Sequence, residues 1–297
     1  MKFEYSEEVR DALSAGKPVL ALESTLITHG LPKPENARVG RQLEQTARDG
    51  GVVPATMALL NGRLHAGISV AQLELLAALP SPRKCSIRDL PVAAARGESG
   101  GTTVAATMQL AHAAGIRVFS TGGIGGVHRG QPFDVSADLT ALGAIPMTVV
   151  CAGAKSILDV PLTLEVLETK GVTVVGYCTD EFPLFYCRTS GLPVDVRCDT
   201  PEEIAAIIQQ RDEMKLSQAI LVVNPVPEAD AIPADEAEQA TRQALADAES
   251  AGIHGKDVTP FLLARVSALT SARSMKANLA LLDNNVRLGA AIARVIA

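Results

Sequence analysis

The sequence predicts an α/β fold: a largely parallel sheet covered by helices on both faces, with a helical C-terminal section. Three observations carry that expectation. Short apolar runs alternate with amphipathic stretches at the spacing of strand–helix–strand units. Helix caps and stops fall between those runs. After Pro233 the chain turns mostly helical as far as Ala297. With 297 residues and no internal repeat, low-complexity tract or long Pro/Ser linker, residues 1–297 read as a single domain with one large core.

The elements follow in order. Strands are expected at Pro18 to Leu22, Val52 to Leu60, Ile116 to Ser120, Met147 to Cys151, Val172 to Tyr177 and Ala219 to Val223. Each is a short apolar run bounded by glycine, proline or polar residues. Ser69 and Gln72 form a capping box ahead of Leu73, Leu75 and Leu76. Thr200, Pro201 and Glu203 supply a cap, a first-turn proline and a capping carboxylate for a helix through Arg211. Gly115 and Gly171 stop the helices that precede two of the strands.

Composition narrows the function. Lys and Arg number 27 against 33 Asp and Glu, a net charge of −6, and there is no basic block to meet a nucleic-acid polyanion. Aromatics make up 3% of the chain and Trp is absent, which disfavours base-stacking platforms. No apolar stretch is long enough to span a membrane, and Met1 to Arg10 does not read as a signal peptide. Five cysteines without a C-x-x-C pair fit reduced thiols in a cytoplasm better than a structural zinc site.

In folds of this class reactive residues gather in loops at the carboxyl ends of strands. Four segments place polar groups there. Glu23 follows an apolar strand, a setting that suits a carboxylate to proton transfer, although it would equally serve to cap the next turn. Thr121 to Gly130 is a glycine-rich loop with His128 and Arg129 at its end. It reads as an anion site built from exposed N–H groups, because glycine this dense is costly unless something is gained from it. Asp134, Ser136 and Asp138 place two carboxylates four apart, suited either to a hard divalent ion or to capping a short helix through Leu142. Lys155 follows a buried strand among small residues. It is either a desolvated amine, nucleophilic toward carbonyl carbon, or a lysine that reaches solvent at a helix start. Lys84 and Arg88 lie in what reads as a charged connector. Asn278 either points an amide into a pocket or faces water, and His65, His112 and His254 read as structural.

Together these segments resemble the pseudouridine-5′-phosphate glycosidases, also called indigoidine synthase A-like proteins. The match runs from Pro18 to about Asn285. It is carried by Ala21-Leu22-Glu23-Ser24-Thr25, Val53-Pro54-Ala55-Thr56, Arg88-Asp89-Leu90-Pro91, Thr102-Thr103-Val104-Ala105 and Ser120 to Gly130. Asp134 to Leu139, Val149 to Asp159, Cys187-Arg188-Thr189-Ser190, Asn224 to Glu228 and Thr259 to Ala264 complete it.

The resemblance implies a three-layer α/β/α sandwich, a homotrimer, and reversible joining of ribose 5-phosphate to uracil through a C–C glycosidic bond. Lys155 matches the lysine that forms a Schiff base with ribose C1, and Glu23 matches the proton donor. Asp134 matches the ligand of Mn²⁺, or another divalent ion such as Mg²⁺. Lys84, Thr103, Val104, Ser136, Ala137 and Asp138 match substrate-contacting positions. His128 and Asn278 match positions near the phosphate and the base.

This chain departs from the family pattern at a shorter stretch from Arg129 to Phe133, and at Ile87, Gly101 and Ala277, which stand for an expected Arg, Ala and Ser. With an intact catalytic set and an altered rim, a second reading stays open: C-ribosylation of an aromatic polyketide-type acceptor in antibiotic biosynthesis. A non-enzymatic sugar-phosphate-binding protein is a third.

Overall fold

A computed structural model describes residues 1–253 and 258–297. The strands are β1 (Phe3–Tyr5), β2 (Val19–Leu22), β3 (Val53–Leu60), β4 (Arg63–Ala66), β5 (Arg83–Cys85), β6 (Gly100–Thr102), β7 (Val118–Ser120), β8 (Val127–His128), β9 (Gln131–Val135), β10 (Thr148–Cys151), β11 (Leu158–Asp159), β12 (Thr173–Tyr177), β13 (Val196–Cys198) and β14 (Ile220–Val223). The helices are α1 (Glu7–Ser14), α2 (Glu35–Asp49), α3 (Val70–Ala78), α4 (Leu90–Ala95), α5 (Val104–Ala113), α6 (Ala137–Leu142), α7 (Val160–Thr169), α8 (Pro201–Glu213), α9 (Ala234–Ser250), α10 (Val258–Leu269) and α11 (Arg273–Val295).

All six strands expected from the apolar runs are present, each starting one or two residues later than the run itself. They form the parallel part of the main sheet, β3-β2-β7-β10-β14-β12, which β13 extends in the same direction. Strands β2, β10 and β14 are buried along their whole length, which is why they read as continuous apolar runs rather than alternating ones. The capping boxes at Ser69 and Thr200 are both formed. Gly115 and Gly171 adopt positive φ, the left-handed stop that glycine tolerates.

The sequence patterns did not reveal the antiparallel part. Val53 to Thr56 of β3 pair with β2, while Ala58 and Leu59 pair with β6, and β4 folds back along the same strand. Strand β6 consists of Gly100, Gly101 and Thr102, residues poor in strand propensity, and β5 occupies the stretch read as a charged connector. Ile87–Asp89 that follows is a 3₁₀ turn leading into α4.

Helix α11 packs along β2, β7 and β10, with α2 and α8 against it. Helices α5 and α6 pack together elsewhere on the sheet, α5 against β2, β3 and β7. The core between these layers holds Leu20, Phe119, Val149, Val150, Leu221 and Leu281, all fully buried. Burying each side chain of this size contributes about 1.5–3 kcal/mol. Among the described residues no helix is long and apolar enough to cross a membrane.

Connections fix where the site falls. From β2 the chain moves to β3 on one side, and from β7 it moves to β10 on the other. The neighbours β2 and β7 therefore flank a topological switch point, and in folds of this class the ligand crevice lies at the carboxyl ends of such a pair.

Candidate active site

Glu23 is the first residue after β2, and Thr121 the first after β7. The two meet: Thr121 Oγ1 donates to Glu23 Oε1, and Thr25 Oγ1 donates to Glu23 Oε2. The carboxylate is half-buried and does not cap the turn that follows. That turn, Leu26–Gly30, is a π-helical turn, an uncommon geometry often found at functional sites.

Lys155 comes from the third strand of the group, β10, which lies beside β7. It sits in a loop, half-buried, with its N–H on the Ile124 carbonyl at 3.1 Å. The nearest following helix, α7, begins at Val160 with Asp159 as its cap. Lys155 is thus no helix-start lysine, and its loop is tied to the one that carries Thr121, the Ala152 N–H donating to the Gly122 carbonyl at 2.9 Å.

The glycine-rich segment was expected to gain nothing from packing, and the structure corrects this. A Cβ on Gly123 would lie 2.7 Å from the Phe185 ring, and one on Gly126 would overlap Thr163. None of Gly122, Gly123, Gly125 and Gly126 has positive φ. These glycines admit neighbouring side chains, and their N–H groups are partly taken: Gly125 N donates to Asp138 Oδ2 at 2.8 Å. Arg129, expected to offer charge to an anion, is likewise engaged. Its guanidinium donates to the carbonyls of Leu158 and Ser156 at 3.1 and 3.2 Å and pairs with Glu238 at 2.9 Å.

The two carboxylates of the Asp134–Asp138 pair part company. Asp138 is buried, and besides Gly125 N it accepts from Ala105 N at 2.9 Å. It ties the starts of α5 and α6 to the glycine turn, and Ser136 caps α6 by accepting from Asp138 N at 3.2 Å. Asp134 lies on the β8–β9 hairpin with a side chain 64% exposed, 4.0 Å from His128 Nδ1. Among the described residues no three His, Cys, Asp or Glu side chains converge as a metal cluster. One exposed carboxylate beside an imidazole still suits a hard divalent ion that keeps most of its waters.

The remaining expected residues lie on β5, α5, α6 and α11. Thr103 caps α5 and Val104 opens it, fully buried. Lys84 is the middle residue of β5, in register with Gly101. Ala137 is the first residue of α6. Asn278 is half-buried on α11 and lines a cavity of about 390 Å³ with His29, Tyr186, Ser267, Ser274 and Met275.

The altered positions are not an open rim: Ala277 is fully buried, and a Cβ on Gly101 would meet Thr28 and come within 2.7 Å of the Ser24 carbonyl. Ile87 is half-buried against the core.

His65 is buried and desolvation lowers its pKa, and His112 is an exposed residue of α5. His254 lies outside the described residues. All five cysteines are unpaired. Burial pushes the Cys151 thiol up to about 12 and Cys85 and Cys187 up to about 11, so these thiols stay protonated at neutral pH.

Sequence reasoning missed the two hydroxyls that hold Glu23. It also missed Asn285 and Asn224, whose side chains bond one another beneath the crevice at 3.1 Å.

An acid after β2 and a lysine after β10, on either side of β7 at a switch point, suit an α/β enzyme of the crevice type. The chain belongs to the indigoidine synthase A-like family, whose model matches residues 8–295. It is 54% identical to a pseudouridine-5′-phosphate glycosidase of Symbiobacterium thermophilum, over 97% of this chain and 96% of that one. A protein of the same name from Methylobacterium nodulans is 53% identical, over 98% of this chain and 87% of that one.

Two solved structures share the fold. An indigoidine synthase A-like protein of Thermotoga maritima aligns with a TM-score of 0.90 at 40% identity, covering 98% and 95% of the two chains. A prealnumycin C-glycosynthase in complex with ribulose 5-phosphate aligns with a TM-score of 0.91 at 37% identity, covering 99% and 96%.

Proposed function

We propose that this chain breaks and makes the C–C glycosidic bond of pseudouridine 5′-phosphate, releasing uracil and ribose 5-phosphate. The observation that carries the reading is the meeting of Glu23, Thr121 and the Lys155 loop at the carboxyl ends of β2, β7 and β10.

The bond to be broken has no heteroatom at the leaving carbon, so protonation and oxocarbenium departure alone are a poor route. A lysine offers another. Glu23 gives a proton to the ribose ring oxygen as the bond from C1 to that oxygen breaks. Lys155 Nζ adds to C1 and loses a proton. The lone pair on nitrogen then forms the C1=N bond while the electrons of the C1–C5 bond leave with uracil, whose C5 takes a proton. Water hydrolyses the iminium to ribose 5-phosphate and restores the amine. Thr25 and Thr121 both donate to the carboxylate and limit its rotation, which suits a group that has to meet the ring oxygen. That the structural neighbour holds ribulose 5-phosphate, an open-chain pentose phosphate, supports an opened sugar here.

The sugar phosphate is read as lying toward the first turns of α5 and α6, near Lys84, Thr103, Val104 and Ser136 to Asp138, with uracil toward Asn278. A divalent ion, Mn²⁺ or Mg²⁺, would be held by Asp134 with His128 beside it. Bound there, it would supply positive charge for phosphate oxygens and ordered waters. The same reading includes assembly as a homotrimer, checked by the solution mass, and a reducing cytoplasmic setting, which five unpaired thiols suit.

C-ribosylation of a larger aromatic acceptor uses the same sugar half. Higher identity to the glycosidases than to the C-glycosynthase, and the burial of Ala277 and Gly101, favour uracil. The test is uracil release from pseudouridine 5′-phosphate with Mn²⁺. Turnover that responds to both substrate and metal is expected. No release from an enzyme that still forms a borohydride-stable adduct with ribose 5-phosphate would replace uracil with another acceptor.

A further inference from the structure

Helix α11 carries an asparagine in a place where an apolar residue would be expected. Asn285 is fully buried, and among its neighbours on the helix Leu281, Leu282, Val286 and Leu288 are buried with it. A buried amide costs free energy unless its groups are bonded, and here they are. Asn285 Nδ2 donates to the Thr121 carbonyl at 2.9 Å and reaches the Gly122 carbonyl at 3.5 Å. Its Oδ1 accepts from Asn224 Nδ2 at 3.1 Å. Asn224 follows β14 and is itself anchored, its N–H donating to the Cys151 carbonyl at 2.8 Å.

The position explains the residue. Strand β7 ends at Ser120, so the Thr121 carbonyl has left the sheet ladder inside the molecule and needs a donor from elsewhere. Asn285 supplies it. The Thr121 N–H meanwhile donates to Val150 O at 2.9 Å, so the main chain of Thr121 is held at both its N–H and its carbonyl. That fixes the direction in which Thr121 Oγ1 leaves the backbone, and Thr121 Oγ1 is one of the two hydroxyls on Glu23. The relay runs from Asn224 through Asn285 and Thr121 to the carboxylate.

We propose that Asn285 is a positioning residue for Glu23: it orients the proton-transferring carboxylate through Thr121 without touching substrate. The inference rests on the assignment of Glu23 made above. Loss of the amide leaves the carboxylate present but displaced, and an error of about 1 Å at a reacting group costs on the order of a hundredfold in rate.

The test is a double-mutant cycle on uracil release with Asn285→Ala, Glu23→Gln and the two combined. Asn285→Ala is expected to lower kcat by about tenfold to a hundredfold with KM changed less than about threefold. The combined variant is expected to be no slower than Glu23→Gln alone. The borohydride-trapped adduct with ribose 5-phosphate, which reports Lys155, is expected to persist in all three. Unchanged kcat, a loss confined to KM, or losses that multiply in the combined variant would each overturn the proposal. Should Asn285→Ala not fold, Asn285→Ser, whose hydroxyl stops about one bond short of the amide nitrogen, is read in the same cycle against the same outcomes. Absence of uracil release from the unmodified enzyme would instead count against the glycosidase reading, so the two failures are distinguishable.

Discussion

The two sides of the crevice are built on opposite principles. On one side Glu23 is held by two hydroxyls, one of them on a residue whose main chain is clamped by β10 and α11. On the other, Asp134 stands on a two-stranded hairpin, largely exposed, and Phe133 next to it is wholly exposed. The difference teaches where preorganisation is required. Groups that move protons and electrons must be in place before substrate arrives, because reorganising them would raise the barrier. A carboxylate proposed to hold a hydrated cation would have no such need, since on that reading ion and phosphate complete the site on arrival.

The comparison can be broken or sharpened by substitution. The largest effect is expected at the lysine: Lys155→Ala should cut uracil release by at least about a thousandfold, because alanine offers no nucleophile at that position. Next comes the stability contrast between the two aspartates. Asp138→Ala would strand the N–H groups of Ala105 and Gly125 and should cost roughly 2–4 kcal/mol in urea unfolding. Asp134→Ala, on the exposed hairpin, should stay within about 0.5 kcal/mol. Equal losses would erase the difference between the two sides. Asp134→Asn should act on the metal instead, raising the Mn²⁺ needed for half-maximal activity by about tenfold in a titration of rate against metal.

The smallest effect is expected away from both sides, at Glu44. This carboxylate is buried on α2 with Thr56 Oγ1 at 2.7 Å and Arg48 at 3.6 Å. Burial raises its pKa above the ordinary 4.5 against the pull of those partners. The folded chain therefore binds the proton more tightly than the unfolded one, and stability from this group is present at low pH and lost as pH rises above about 4.5. Glu44→Gln should raise Tm at pH 8, with the gain shrinking toward pH 5 and kcat unchanged. A lower Tm at pH 8 would mean that the Arg48 pair outweighs burial.

The parallel strands were legible because β2, β10 and β14 are buried on both faces and spell continuous apolar runs. Strands β4, β5 and β6 were not, because their character comes from pairing, β4 and β6 with β3 and β5 with β6, rather than from their own residues: Gly100 and Gly101 have poor strand propensity, and Lys84 looks like a connector until β6 lies beside it. In the site, Lys155 was legible as a lysine among small residues four positions beyond an apolar strand, and Glu23 as a polar residue directly after one. Thr121 stood in the same position after β7, and that placement was the available signal for its partnership with Glu23. Charge alone does not say whether a side chain faces a ligand or the protein's own backbone: Arg129, expected to offer charge to an anion, donates to two backbone carbonyls and pairs with Glu238, and Asp138 accepts from two backbone N–H groups. Asn285 left no local signal at all: its partner carbonyl belongs to residue 121, and only the packing of α11 on β7 brings them together.

The claim on which everything else depends is that Lys155 attacks the sugar. It is tested most directly by incubating the enzyme with ribose 5-phosphate, reducing with borohydride and measuring intact mass with peptide mapping. The expected result is one pentose phosphate per chain, joined through a secondary amine at Lys155 and absent from Lys155→Ala. No adduct, or an adduct of equal yield on another lysine, would contradict the account.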